Sequence, residues 1–184
     1  MRYTEHLVLS CIVNGAFLLV LYTIFHVDIF RVELIVPAVL TFYVFSILPD
    51  IDHQKSHASW ILNLFLIYLF GSSAFDFYKT PNPLDLAKIV IATAIFIAHA
   101  KYAEDSYLHR KFPHTFTFGL VACLLLYFLV NSVLVCMVGA ISFFTHMLGD
   151  GYVRKAIGKD RALWRSVGSK LNAIKNKIAK RKGF

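Results

Sequence analysis

Apolar segments of helical length recur along the chain and alternate with short polar segments. Five of them carry no charged residue, and they cover residues 7–25, 34–48, 60–75, 116–130 and 132–148. A sixth segment, residues 84–100, is apolar except for Asp85 and Lys88 near its start. A membrane-spanning helix needs about 20 apolar residues, with a range of roughly 17–25. The pattern therefore predicts an all-α membrane helix bundle of about six spans.

Several of these segments are slightly short for a span, so a second interpretation stays open, with fewer spans and additional buried core helices. The first segment follows Met1 closely, has only Arg2 as a basic flank and lacks an A-x-A exit, which predicts a retained helix rather than a cleaved signal. The cysteines lie inside apolar segments without a CxxC pair, which favours packing over metal or redox chemistry; they are Cys11, Cys123 and Cys136.

The residues after Asp150 follow a different pattern, in which apolar positions at helical spacing alternate with basic ones. The apolar positions are Leu163, Trp164, Val167, Leu171, Ile174 and Ile178. This pattern predicts a basic amphipathic helix that lies on anionic lipid headgroups, and it makes nucleic acid the less favoured partner. We therefore divide the chain into a spanning region, residues 1–150, and a basic interfacial tail, residues 151–184.

Composition supports the membrane assignment and gives the orientation. The 184 residues are 58% hydrophobic and 16% charged, whereas a soluble domain is about 45–50% apolar and roughly 25% charged. Basic flanks stay in the cytoplasm, which places the tail there and, with six spans, the N-terminus too. Only Arg31, Lys79 and Lys88 of the 19 basic residues then lie on the other side. The predicted location is the inner, cytoplasmic membrane.

Histidines and acids collect at the cytoplasmic ends of the predicted spans, although they were not used to orient the chain. Seven of the eight histidines fall there, and only His26 falls on the other side. Four segments carry most of the candidate metal ligands, which are His6, Asp50, Asp52, His53, His109, His114, His146 and Asp150. Pro49 is expected to end the second span, and Pro113 is expected to start the helix that follows it.

The spacing of these residues favours a shared metal site. His146 and Asp150 stand four positions apart, so one helix face holds both about 6 Å apart. Mixed histidine nitrogen and carboxylate oxygen ligands suit zinc, with manganese or iron as alternatives. Eight candidates exceed the needs of one tetrahedral zinc, which leaves open two or more ions, or outer residues that orient the ligands. Taken alone, each segment is explained equally well by a turn or by an interfacial histidine.

At these four segments the chain resembles the LexA-binding, inner-membrane-associated metal-dependent hydrolases. The matching segments, in order, are "TEH" at residues 4–6, "PDIDH" at 49–53, "HRKFPHT" at 109–115 and "HMLGD" at 146–150. Within them, Lys111 replaces the usual glycine, Pro113 a threonine and Thr115 a serine, and Glu5 is inserted before His6. The family is similar, more remotely, to zinc-dependent phospholipases C. The resemblance therefore implies hydrolysis of a phosphoester.

The predicted mechanism is hydrolysis of a lipid or lipid-linked phosphoester by metal-activated water. Asp50 or Asp52 accepts the proton, and Arg110 binds the phosphate oxygens. Two other classes stay open. A metal-ion transporter would also place histidine and aspartate in a membrane, although it needs ligands at several depths. A membrane-anchored scaffold would need only the spans and the basic tail.

Overall fold

The chain is all-helical in the computed structural model, which describes residues 3–50, 57–102 and 113–181. Seven α-helices occur in that part of the chain, together with one short 3₁₀ helix, Leu48–Asp50, and no strand. The helices are α1 (Tyr3–Thr23), α2 (Val32–Ile47), α3 (His57–Lys79), α4 (Pro83–Tyr102), α5 (Phe116–Val130), α6 (Val133–Gly149) and α7 (Val153–Arg181). The predicted all-α fold is confirmed.

Four helices, α1 to α4, are long and apolar enough to cross a membrane, judged by length and composition. Counting α6 with α7, a pair bent by 109°, as one broken span raises the number to five. Helix α5 has 15 residues and is about 22 Å long, shorter than the hydrocarbon core of about 30 Å. The result is a polytopic helix bundle, roughly consistent with the predicted six spans.

Capping residues determine where the helices next to the histidines begin and end. Helix α2 stops before Pro49, which lies in the 3₁₀ helix, as the sequence predicts. Helix α5 begins at Phe116, because Thr115 is its N-cap and its hydroxyl accepts a hydrogen bond from the Phe118 amide at 3.1 Å. The prediction that Pro113 starts this helix is therefore wrong, and Pro113 lies in the turn before it.

Helix α6 is the central packing element, and it contacts α1, α2 and α5, while α3 packs on α4. Two glycines allow the close approach to α5. A Cβ on Gly119 would stand 2.5 Å from the Phe143 ring, and a Cβ on Gly139 would stand 3.2 Å from Leu126. Small residues at helix contacts are the usual means of packing inside a membrane, where apolar surface gains little from leaving lipid.

Helices α1 and α6 meet along two polar stripes. His6, Ser10 and Asn14 are spaced by four residues on one face of α1, and all three are buried. Facing them on α6 are Ser142 and His146. The Asn14 amide donates to Ser142 Oγ at 2.9 Å, and the His6 ring stacks on the His146 ring at 4.0 Å. This contact holds the start of α1 against the end of α6.

Helix α7 turns away from α6 and is attached to the start of α5. The Asp160 carboxylate accepts hydrogen bonds from the Phe116 amide at 2.8 Å and from the Thr117 amide at 3.1 Å. The Trp164 indole donates to the Thr117 hydroxyl at 3.2 Å. Asp160 thus accepts hydrogen bonds from amides that have no partner within the first turn of α5.

Candidate metal centre

Four helix ends bring five of the candidate ligands to one end of the bundle. His6 lies in the first turns of α1, and Asp50 ends the 3₁₀ helix after α2. His114 stands just ahead of α5, while His146 and Asp150 lie at the C-terminal end of α6. These elements are far apart in sequence, and they alternate in direction along the chain, so the same end of the bundle receives all five.

Four side chains form a group that has the dimensions of a metal site, and we call it the metal group. Asp50, His114, His146 and Asp150 each offer one ligand atom, and these atoms lie within 4.8 Å of one another. Nε2 of His146 is 3.3 Å from Asp150 Oδ2 and 3.7 Å from Asp50 Oδ2. Nε2 of His114 is 3.7 Å from the other oxygen of Asp50.

These separations fit a coordination shell better than direct hydrogen bonds. A nitrogen–oxygen hydrogen bond measures about 2.7–3.2 Å, which is shorter than all three contacts. Ligands at about 2.0–2.2 Å from a tetrahedral zinc stand about 3.3–3.6 Å from one another. The contacts of 3.3 to 3.7 Å are close to these edge lengths, and all the ligand atoms of the group lie within 4.8 Å of one another.

The His146 ring is oriented so that it presents an electron pair to the two carboxylates. Its Nδ1 is 2.7 Å from the backbone carbonyl of Ser46, which can only accept, so Nδ1 carries the proton. In the neutral ring Nε2 is then an acceptor, and it faces oxygens of Asp50 and Asp150 that are acceptors too. His146 is 0% exposed, and among the described residues its Nε2 has no hydrogen-bond donor or acceptor. A cation bound between these atoms would remove the repulsion.

His6 lies beside the group of four rather than within it. Its Nε2 is 3.0 Å from Asp150 Oδ1, the oxygen that does not face His146. This distance is that of a hydrogen bond, so His6 orients the carboxylate as an outer residue does around a metal. The same position would also allow Asp150 to bridge two ions, with His6 a ligand of the second.

The group is open to its surroundings on one side. The Asp50 side chain is 49% exposed, whereas those of His114, His146 and Asp150 are 5%, 0% and 14% exposed. Asp50 is therefore the ligand that a molecule arriving from outside meets first. Four of the predicted site residues, Asp52, His53, His109 and Arg110, lie outside the described residues, and their roles stay predictions.

One neighbouring cluster was not anticipated from the sequence. The Tyr152 ring packs on the His114 ring at 4.8 Å, and the Lys155 and Lys159 ammonium groups lie 5.0 and 5.4 Å from the Tyr152 ring centre. Burial and the nearby Lys155 charge lower the pKa of Lys159. The signal in the sequence is the spacing of 152, 155 and 159 on one helical face, which is hidden among the many basic residues of the tail.

Comparisons of the chain with protein-family models, with curated proteins and with solved structures give no match. The resemblance in the four motif segments therefore stays a prediction. What can be said of the site comes from its geometry and from the chemistry of its donor set.

Proposed function

We propose that the protein is a membrane-embedded, metal-dependent hydrolase that acts on a phosphoester of a lipid or lipid-linked substrate. The observation that carries this proposal is the Nε2 atom of His146, which is buried and faces the carboxylates of Asp50 and Asp150 as an acceptor. A divalent cation is the simplest partner for one imidazole nitrogen and two carboxylates.

The proposed ligands of the first ion are Asp50, His114, His146 and Asp150. Two nitrogen and two oxygen donors suit zinc, with manganese or iron as alternatives. His6 holds the second oxygen of Asp150 and is the candidate ligand of a second ion. Asp52 and His53 belong to the same sequence segment as Asp50, and His109 belongs to the same segment as His114. These three residues complete the proposed ligand set.

The chemistry follows from which groups stay accessible. A bound divalent ion lowers the pKa of a coordinated water to about 7, which supplies a nucleophile at neutral pH. Asp50, the most exposed carboxylate of the group, or Asp52 is proposed to accept the proton of that water, whichever of the two is not fully committed to the metal. Arg110 is proposed to bind the phosphate oxygens, and Lys155 adds positive charge beside His114.

A lipid substrate is favoured by where the site lies. The ligands stand at the ends of apolar helices, and we propose that this end of the bundle lies at the depth of the lipid phosphates. The apolar residues of α7 are exposed, with Trp164 at 61%, Leu171 at 60% and Ile174 at 55%. We propose that this face rests on the bilayer and that the basic face binds anionic headgroups of the inner leaflet.

The first experiment is elemental analysis of the purified protein, comparing wild type with His146→Ala. We expect at least one equivalent of zinc, manganese or iron in the wild type and a clear loss in the variant. Hydrolysis of phospholipids and polyprenyl phosphates is then assayed with and without a chelator, and with Asp150→Ala. Activity that survives both the chelator and the substitution would remove the metal from the mechanism.

A transporter is the second candidate, and the polar stripe between α1 and α6 is the observation that favours it. Ser10, Asn14 and Ser142 extend from the site into the bundle. These side chains are 0%, 4% and 0% exposed and bind one another, which leaves no aqueous path along them. Zinc uptake into sealed vesicles that contain the protein separates the two functions, because a hydrolase has no reason to produce it.

A further inference from the structure

We propose that an elongated apolar cavity beside the metal group binds a single hydrocarbon chain of the substrate, so that the cavity selects substrates by chain length. This inference rests on the proposed function and makes it more specific. It assigns the substrate class as an amphiphile with a phosphoester head and at least one unbranched or prenyl chain. The phosphoester lies at the metal group while the chain extends into the bundle.

The cavity has a volume of about 330 Å³ and lies between α2, α3, α4 and α5. Its walls are aliphatic and aromatic side chains, among them Val44, Phe65, Leu69, Ile95 and Leu125. Among the described residues that line it, His99 is the one titratable residue. A wall of this kind offers dispersion contacts along its length and almost no hydrogen bonds, which suits a hydrocarbon and excludes a sugar or a nucleotide.

His99 does not disturb this apolar wall, because both of its ring nitrogens are engaged elsewhere. Nε2 is 3.3 Å from Ser59 Oγ, and Nδ1 is 3.2 Å from Asn63 Oδ1. The three side chains link α3 to α4 and leave the ring carbons to face the cavity. A polar ligand group would find no free donor or acceptor on this ring.

One end of the cavity adjoins the metal group through the chain itself. Leu48 and Pro113 line the cavity, and Asp50 and His114 follow them by two residues and by one residue. From there the lining continues along α5 from Phe118 to Leu129, eleven residues that rise about 16 Å. The lining therefore reaches from the sequence neighbours of two ligands along one face of α5, and we propose that it forms a channel that opens at the ligands.

This continuity distinguishes a substrate chain from a structural lipid. A bilayer lipid could fill the channel from any side, but its head would have no defined relation to the metal group. A phosphoester held by the ligands, in contrast, delivers its own chain to Leu48 and Pro113. A chain that moves from the bilayer into the cavity exchanges one apolar environment for another and gains little free energy. The free energy of chain burial is therefore measured with substrates that enter the cavity from water.

The test uses ethyl, butyl and octyl phosphate, which reach the protein from water, with the protein in nanodiscs. We expect kcat/KM to rise with chain length, by up to about fourfold for each added methylene. Ala122 lines the cavity midway along α5, so Ala122→Phe places a ring across the channel. This variant should lower the octyl-to-ethyl ratio of kcat/KM to near the butyl-to-ethyl ratio of the wild type, with the metal content measured as the check that the site is intact.

The matched control is Ala94→Phe, because Ala94 is exposed on α4 and does not line the cavity. It carries the same increase in volume and should retain the full dependence on chain length. The proposal of a chain channel would be overturned if the octyl-to-ethyl ratio of kcat/KM were near one in the wild type. It would also be overturned if this ratio were equal in Ala122→Phe and wild type.

A second measurement separates this proposal from the hydrolase itself. Octyl phosphate with a photoreactive diazirine at the chain end is crosslinked to the protein, and the labelled residues are mapped by mass spectrometry. Labels on the α5 lining that Ala122→Phe removes support the channel, even if no phosphate is released. Hydrolysis with labels confined to the outer surface would keep the enzyme and reject the channel.

Discussion

At the scale of single residues, the carbonyl of Ser46 determines what the metal group can do. It fixes the proton of His146 on Nδ1 and thereby turns Nε2 towards two carboxylates. Outer hydrogen bonds of this kind orient metal-binding imidazoles in many proteins. The sequence predicts His146 and Asp150 as a pair from their spacing, but Ser46 carries no signal, because its contribution comes from the backbone.

The Asp50 carboxylate should contribute to the stability that zinc adds to the protein. Asp50→Asn removes one charged ligand from the group, so we expect the variant to gain less stability from zinc than the wild type gains. Zinc at a hundredfold excess over its Kd should add about 2.7 kcal/mol to the wild type and clearly less to the variant. Thermal unfolding with and without zinc measures both effects.

Asp76→Asn is the control for this comparison, because Asp76 is exposed near the far end of α3. It should respond to zinc as the wild type does. An equal zinc shift in Asp50→Asn and wild type would mean that Asp50 is not a ligand.

The Lys155 charge should act on substrate binding rather than on the metal. Its ammonium group lies over Tyr152, which packs on His114, so it attracts an anionic head without contacting the ligands. We expect Lys155→Gln to raise KM for a phosphoester roughly two- to fivefold with kcat and metal content unchanged, the size of a partly exposed charge interaction. Lys175→Gln, an exposed site far along α7, should leave KM as it is.

At the scale of helices, the close contact between α5 and α6 decides where His114 and His146 stand relative to each other. Gly119 makes this contact possible, since a Cβ at this position would lie 2.5 Å from the Phe143 ring. The apolar segment 116–130 coincides with α5, although the sequence predicts that the helix starts at Pro113. Its partner could not be predicted, because a glycine in an apolar segment carries no sign of the ring that it faces.

A methyl group at position 119 should therefore disturb the fold more than the same group elsewhere. Gly119→Ala places a Cβ 2.5 Å from a Phe143 ring carbon, so we expect a loss of about 1–3 kcal/mol in stability. Gly71→Ala meets no atom within 4 Å and should be neutral or stabilise α3 by up to about 1 kcal/mol. Thermal unfolding of both variants in one detergent gives the comparison, and equal midpoints would contradict the packing described here.

At the scale of the whole molecule, the order of apolar segments predicts the helices, but contacts between them appear only in three dimensions. Asn14 looks like an isolated polar residue in the sequence, and its partner Ser142 lies 128 positions away. The contacts of Tyr152 with His114 and Lys155 could not be predicted either, because many basic residues of the tail have similar spacing. Helix α7 begins at Val153, ten residues before Leu163, which is the first apolar position of the amphipathic pattern in the sequence.

The tail should bind an anionic membrane surface in the intact protein. We expect α7 to resist chymotrypsin in nanodiscs with anionic lipid and to be cleaved in neutral nanodiscs or at high salt. Replacing Lys170, Lys175 and Lys177 together by Gln should weaken this protection by about 3 kcal/mol, at about 1 kcal/mol per charge. The matched triple replacement by Arg should keep it. Cleavage that ignores lipid charge, together with binding of DNA, would point to nucleic acid instead.

The attachment of Asp160 to the first amides of α5 has a practical consequence for anyone who truncates this protein. A shortened form that stops before Val153, chosen to remove the basic tail, would also remove the carboxylate that binds the first amides of α5, the helix that follows His114. Such a form should be expressed with an acidic substitute near Phe116. A purification tag is better joined beyond residue 181, because the contact of Asp160 with α5 then stays intact.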